Sequence, residues 1–305
     1  EKGGILNDPV LLRLSEDEFW FSISDSDLLL WLQGVNVAKK YDVEIDEIDV
    51  CPVQIQGPLS EDLMAKLAGE ELREIPYYGL METKVGGADC VISQTGFTGE
   101  KGYEIYVRDA HENAEKMWNA VLEAGEEFGL MVIAPAHHRR IAAGILSWGQ
   151  DLDHETSPFQ VNLSYQVPRS KKSDYIGKEE LERQRAIIDE GKAPFKMKMV
   201  GITLGGKEIT DYAPDFWLIT DTQDNEVGYV TSPWWSPELE TNIALAWVPW
   251  DQSEVGTKFK VKLPDEYSVE SGIPVDAEIV DVPFRESVNP NKREVQASKG
   301  LDYAD

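Results

Sequence analysis

Residues Ser93–Val107 read SQTGFTGEKGYEIYV. Gly96, Gly99 and Gly102 punctuate the first half of this stretch, a composition of turns, and GYEIYV then alternates as a strand does. Tyr103, Ile105 and Val107 fall on one face of that strand, and Glu104 and Tyr106 fall on the other. The stretch is therefore expected to be strand, turn and strand, with one carboxylate on its polar face. Glu104 fits two readings. It is an outward-facing glutamate beside a tyrosine, or an acceptor that the turns hold in place for a ligand.

The flanking sequence sets this unit in an α+β chain. FWFSISDSDLLLWLQGV predicts a strand from Phe19 to Ile23, a cap at Asp25 or Ser26, and a leucine-rich helix. YDVEIDEIDVCPVQIQGP alternates like half-buried strands up to Gly57 and Pro58. LSEDLMAKLAG has a helical period that stops at Gly69, and Gly129 ends a second helix in HENAEKMWNAVLEAGEEFG. APAHHRRIAAGILSWGQDLD is expected to be a helix whose Ala142, Ala143 and Gly144 permit close packing. YIGKEELERQRAIIDEGKAP predicts a charged, exposed connector helix. From Lys196 onward short alternating runs separated by turns predict an all-β barrel or sandwich.

Composition excludes several function classes. There are 56 acidic and 29 basic residues, for a net charge of −27, so no nucleic acid is expected as a partner. No run approaches the roughly 18 apolar residues of a membrane helix, and EKGGILNDPV is not a signal peptide. Cys51 and Cys90 form no CxxC pair, which suits a reducing, cytoplasmic setting. The four histidines form no HxxxH or HExxH pattern, and no metal site is expected. GxGxxG ahead of a helix, GxxxxGK[ST] and GxSxG are all missing, so phosphate cradling and covalent catalysis have no signature. Asn7, Asp8 and Pro9 read locally as a turn, and Arg139 and Arg140 as surface charges at a helix start.

GGILNDPV, VQIQGP, TGFTGEKGYEIYV, RRIAAGILSWGQDLD, YIGKEEL, GYVTSPWWSPELETNIALAWV and VPF together resemble the folate-dependent aminomethyltransferase family, the T-protein of glycine cleavage and its relatives. They run in the family's order from Gly3 to Phe284. The resemblance implies a three-lobed ring around a central channel that holds tetrahydrofolate, with a C-terminal all-β barrel. Residues 1–48 would be part of the first folate-binding lobe, whose upstream portion is missing. Residues 49–128 would be a second α+β lobe, 129–195 a return to the first lobe plus the connector helix, 196–286 the barrel, and 287–305 a polar tail.

By the same resemblance Glu104 accepts hydrogen bonds from the pterin edge, and Tyr106 and Phe97 make ring contacts. Gln56 and Trp148 lie near the channel, and Arg140 meets folate carboxylates or a substrate acid. Trp148, Trp234 and Trp235 are candidates for an aromatic wall around a cationic substrate. Asn7 and Asp8 match the family's catalytic acidic pair, but Asn7 replaces its first aspartate, and an amide cannot serve as a base. Gln94 stands where T-proteins carry an arginine. NDPV followed by FWFSISDSD is similar to the branch that demethylates dimethylsulfoniopropionate (DMSP). The implied activity is methyl transfer from a small donor such as DMSP to N5 of tetrahydrofolate, without a metal. The alternatives are glycine-cleavage aminomethyl transfer, demethylation of another N- or O-methyl compound (an O-methyl substrate needing an acid, for which His137 or His138 is offered), and folate binding without catalysis. Because relatives extend further upstream, the chain is expected to be a fragment, a processed form or half of a split protein. A homodimer or an upstream partner chain would complete the first lobe.

Overall fold

A computed structural model describes residues 2–24, 26–135 and 137–285. Two expectations, Asp25 as a helix cap and the tail at 287–305, lie outside the described residues. The chain divides into two units, one of residues 9–135 and one whose described residues are 2–8 and 137–285.

The 9–135 unit opens with an antiparallel hairpin of β1 (Val10–Arg13) and β2 (Phe19–Ser22), which places Leu12 opposite Trp20. Helix α1 (Leu28–Lys39) follows, and its cap is Asp27, whose Oδ1 accepts from Leu30 N at 3.1 Å. Strand β3 (Val50–Gln56), helix α2 (Ser60–Ala68), strands β4 (Leu80–Val85), β5 (Ala88–Ser93) and β6 (Gly102–Arg108), and helix α3 (Ala110–Gly125) complete the unit. The four strands form an antiparallel sheet in the order β3-β6-β5-β4. One sheet face buries Ile55, Ile92, Tyr103, Ile105 and Val107 against Leu63, Met64, Met117 and Val121 of the helices. The other buries Val91 and Tyr106 against Leu12 and Trp20 of the hairpin, and Ser93 beside Glu104. The alternation predicted around Glu104 is thus the real division between a packed face and a partly open one. Residues 41–48, expected to alternate as a strand, are not in one. β3 is already the sheet edge, and a run without a ladder partner stays a loop.

The second unit contains α4 (His137–Ala142), the connector helix α5 (Lys178–Asp189), and strands β7 (Met197–Leu204), β8 (Trp217–Thr220), β9 (Glu226–Ser236), β10 (Thr241–Pro249), β11 (Lys258–Val261) and β12 (Val275–Val280). The strands close into a barrel, β10-β7-β12-β11-β8-β9. Val200, Ile202, Ala244, Ala246, Phe259, Val261 and Ile279 fill it. The alternate residues Met199, Ile243, Leu245 and Trp247 pack outside it against Ile5, Ile141, Leu146 and Leu152. Both faces of β7 and β10 are therefore buried, which is why these strands read as nearly continuous apolar runs. The helix expected across Ala134–Asp153 ends at Ala142. Gly144 N and Ile145 N fold back onto Ile141 O and Arg140 O, at 2.9 and 2.8 Å, and the chain continues as turns.

Candidate functional site

Glu104 lies at the centre of the open sheet face. It pairs across the ladder with Gln54 of β3 on one side and Ser93 of β5 on the other. Thr95 Oγ1 and Tyr106 Oη both donate to its Oε2, the latter at 3.1 Å. Its Oε1 accepts no hydrogen bond from the described residues, so one carboxylate oxygen is held and the other is open to a donor. Tyr106 is buried, and burial pushes its phenol well above the ordinary range, aided by the Glu104 charge. It therefore stays protonated, as a donor to a carboxylate must.

The glycine-rich turn between β5 and β6 is tied at its base. Tyr103 Oη donates to Glu61 Oε2 at 3.3 Å, Lys101 Nζ pairs with the same carboxylate, and Ser60 Oγ donates to Lys101 O at 3.0 Å. Burial lifts the Tyr103 phenol to about 12. Higher in the turn, Phe97 is 38% exposed and its N–H donates to Gln54 Oε1 at 3.4 Å. Gly96 rests directly on the Gln54 carboxamide: a Cβ there would come within 2.5 Å of Nε2. Three buried amide atoms around the turn have no partner among the described residues, namely Gln54 Nε2, Gln56 Oε1 and Gln94 Oε1. Native structures rarely leave such groups without a partner, whether water or ligand. An open carboxylate beside unspent donors and acceptors fits the edge of a polar heterocycle that carries both.

The second unit contains a shallow cleft, open to solvent and lined by His137, Arg140, Gln150, Tyr212, Thr231 and Trp234 among others. His137 stacks on Trp234 with centroids 5.7 Å apart and meets Tyr212 at 5.5 Å. Burial, reinforced by the Arg140 charge, holds the His137 imidazole below its usual pKa. Arg140 forms the floor. It is 1% exposed, donates to Asp151 Oδ2 at 2.7 Å and to Ser232 Oγ at 2.8 Å, and caps Ile145 O at 3.1 Å. Asp151 in turn accepts from Thr231 Oγ1, Ser232 Oγ and Ser147 N. Arg140 was expected to meet a ligand carboxylate; here its guanidinium is buried and committed to Asp151, so it frames the cleft.

Gly4 lies so close to His154 O that a Cβ would fall 1.9 Å from it, and Ile5 N donates to Thr156 O at 2.9 Å. This seam fixes the chain just before Asn7 and Asp8. Asp8 is exposed, yet the protein around it displaces enough water to raise its carboxyl pKa. Trp148 donates from Nε1 to Ile5 O at 3.2 Å and packs with the barrel's outer cluster. Trp234 lines the cleft. Trp235, its neighbour on β9, donates its backbone N–H to Ile209 O at 2.8 Å. Sequence reading missed Gln54, Thr95, Asp151 and Tyr212. Gln54, Thr95 and Asp151 lie inside stretches that carry the family resemblance, but only strand register and tertiary contact show what they and Tyr212 meet. Among the described residues no group of three or more His, Cys, Asp or Glu side chains is placed to hold a metal.

The family model described as the GCVT N-terminal domain matches residues 1–171, and that of the glycine cleavage T-protein C-terminal barrel domain matches residues 198–285. The chain is 33% identical over 264 residues to the dimethylsulfoniopropionate demethylase DmdA of Ruegeria pomeroyi, covering 87% of this chain and 69% of that protein. It is 32% identical over 271 residues to an aminomethyltransferase of Clostridium botulinum (strain Loch Maree / Type A3), covering 86% and 70%. The crystal structure of glycine cleavage system aminomethyltransferase T from Bartonella henselae superposes with a TM-score of 0.71 over 94% of this chain and 74% of that one. At 22% identity that likeness establishes the fold, including the barrel.

Proposed function

The chain belongs to the glycine cleavage T-protein family of one-carbon transferases, which use tetrahydrofolate, and from that premise we propose that it is a methyltransferase taking a methyl group from a small sulfonium donor such as DMSP. The observation that carries folate binding is Glu104, with two hydroxyl donors fixed on Oε2 and Oε1 left open. A carboxylate accepts well from the ring N–H and amino groups of a pterin, because bonds to a charged acceptor are about twice as strong as neutral ones. Gln56 Oε1 offers a second acceptor, and Phe97 in the turn offers an exposed ring edge. Tetrahydrofolate, when bound, supplies a nucleophilic nitrogen, N5, as the methyl acceptor.

What favours a sulfonium donor over an aminomethyl group is Asn7, which stands where the family's first aspartate falls. A sulfonium methyl leaves a neutral thioether behind and N5 gives up its proton to solvent, so the chain needs no strong acid at that position. Its residues need only align the reactants, and alignment alone supplies several kcal/mol. Trp148 and Trp234 are the rings offered to the cation, worth about 1–2 kcal/mol when desolvated, and Asp8 orients donor or acceptor. The comparable identity to aminomethyltransferases supports the rival reading, glycine-cleavage transfer. Incubation with tetrahydrofolate and DMSP, followed by mass spectrometry, separates the two. 5-Methyltetrahydrofolate is expected. Its absence, with methylenetetrahydrofolate formed from an aminomethyl-lipoyl carrier instead, would sink the demethylase reading.

A further inference from the structure

Gln54 makes none of the pterin contacts proposed above. It stands directly opposite Glu104 in the β3–β6 ladder, on the same sheet face, where paired Cβ atoms lie about 5 Å apart. Its Oε1 is engaged by Phe97 N–H at 3.4 Å, and that bond sets which end of the carboxamide is nitrogen. Its Nε2 is buried under Gly96 and donates to nothing among the described residues. A buried amide donor left unmade is costly, and the polar atom nearest in register that awaits a ligand is Glu104 Oε1. The pair therefore offers one acceptor beside one donor. Its complement is a ring edge on which an N–H adjoins a carbonyl, a lactam.

We infer that Gln54 is a specificity-determining residue of the Glu104 site. Its Nε2 donates to the 4-oxo group of a pterin whose ring N–H is accepted by Glu104. The Gln54 side chain reaches that bond by turning Nε2 out from the underside of Gly96 while Oε1 stays on Phe97 N–H, so the bond that fixes the sense of the carboxamide is kept. The site thus selects 4-oxo over 4-amino heterocycles, because an amino group at that position would set donor against donor. This rests on the folate reading of the same site.

The test titrates the whole chain with folic acid and with aminopterin, which differ at C4 in carrying an oxo or an amino group. Wild type, Gln54→Leu, Gln54→Glu and Glu104→Ala are compared by calorimetry, with thermal melts to establish folding. The ratio of the two dissociation constants is expected to move toward aminopterin by roughly tenfold or more in Gln54→Leu, since a site loses discrimination when its matched polar group is removed. It should move further in Gln54→Glu, whose carboxylate accepts from a 4-amino group. Should Gln54→Leu fail to fold, the Gln54→Glu ratio decides alone. A wild-type ratio, within about twofold, in both variants overturns the inference. If Glu104→Ala still weakens folic acid binding by about thirtyfold in that case, the folate reading survives it. Failure of the wild-type chain to bind either compound overturns both.

Discussion

Glu104 is where the chemistry is most exposed to test. Replacing it by alanine removes a charged acceptor from the ligand and leaves two hydroxyls, Thr95 and Tyr106, beside an open face where water can reach them. The expected cost to folate binding is about 2 kcal/mol, roughly thirtyfold in Kd, with Tm moving by less than about 4 °C. Unchanged affinity would place the pterin elsewhere. The histidines carry a second prediction. His137 and His138 both lie below the usual imidazole value of 6.5. Burial is the largest cause in each, followed by Arg140 for His137 and by Arg139, Arg285 and His137 for His138. The unfolded chain takes up these protons first as the solution acidifies. Their contribution to stability is therefore present above about pH 6.5 and is lost as pH falls through the folded values. Tm should fall between about pH 6.5 and 5, and a His137→Gln, His138→Gln double variant should flatten that slope. A double variant as steep as wild type counts against the assignment.

Strands and helices show which parts of the fold were legible in the sequence. The barrel strands were, because β11 and β12 alternate between buried Phe259 and Ile279 and exposed Lys258 and Glu278, while β7 and β10, buried on both faces, read as short apolar runs between turns. The face division around Glu104 was equally legible, since period two is a local property. The loop at 41–48 was not, because alternation reports amphipathicity and not whether a partner strand exists. Nor was the end of α4, where two backbone bonds to Arg140 and Ile141 carbonyls close the helix inside an apolar, small-residue run. Gln54 and Asp151 escaped for a related reason. Register and an ion pair to Arg140 across eleven residues are tertiary facts, and no motif encodes them. Two glycines that look alike in sequence should accordingly behave in opposite ways. Gly34, inside α1, has nothing within 4 Å of the point where a Cβ would sit, so Gly34→Ala should stabilise by about 1 kcal/mol and raise Tm by roughly 2–4 °C. A Cβ on Gly4 meets His154 O at 1.9 Å. Gly4→Ala should therefore cost about 3 kcal/mol and lower Tm by roughly 6–12 °C, which thermal melts would read directly. Equal effects from the two substitutions would mean that the seam before Asn7 is not as tight as described.

A net charge of −27 acts on every ligand the protein meets. Folates bring carboxylates of their own, so a folate approaching this surface is repelled at long range, while Arg140, the cation on the floor of the cleft, is neutralised by Asp151. Salt shortens the reach of that repulsion from about 10 Å at 0.1 M to about 3 Å at 1 M. Association of folate should therefore accelerate with ionic strength, the reverse of ordinary steering between opposite charges. In stopped-flow mixing followed by tryptophan fluorescence, the rate constant should rise about threefold or more between 0.1 and 1 M KCl. DMSP is a zwitterion with no net charge, and its KM should change by less than about twofold over the same range. The two ligands thus separate a field of the whole protein from local contacts, because both are presented to the same molecule under the same salt. If folate association slows with salt instead, a local cationic field outweighs the global charge. Arg139 and Lys101, the one lysine of the turn, are then the cations whose neutralisation should slow it. If neither ligand responds, the acidic surface serves solubility alone and takes no part in selecting what binds.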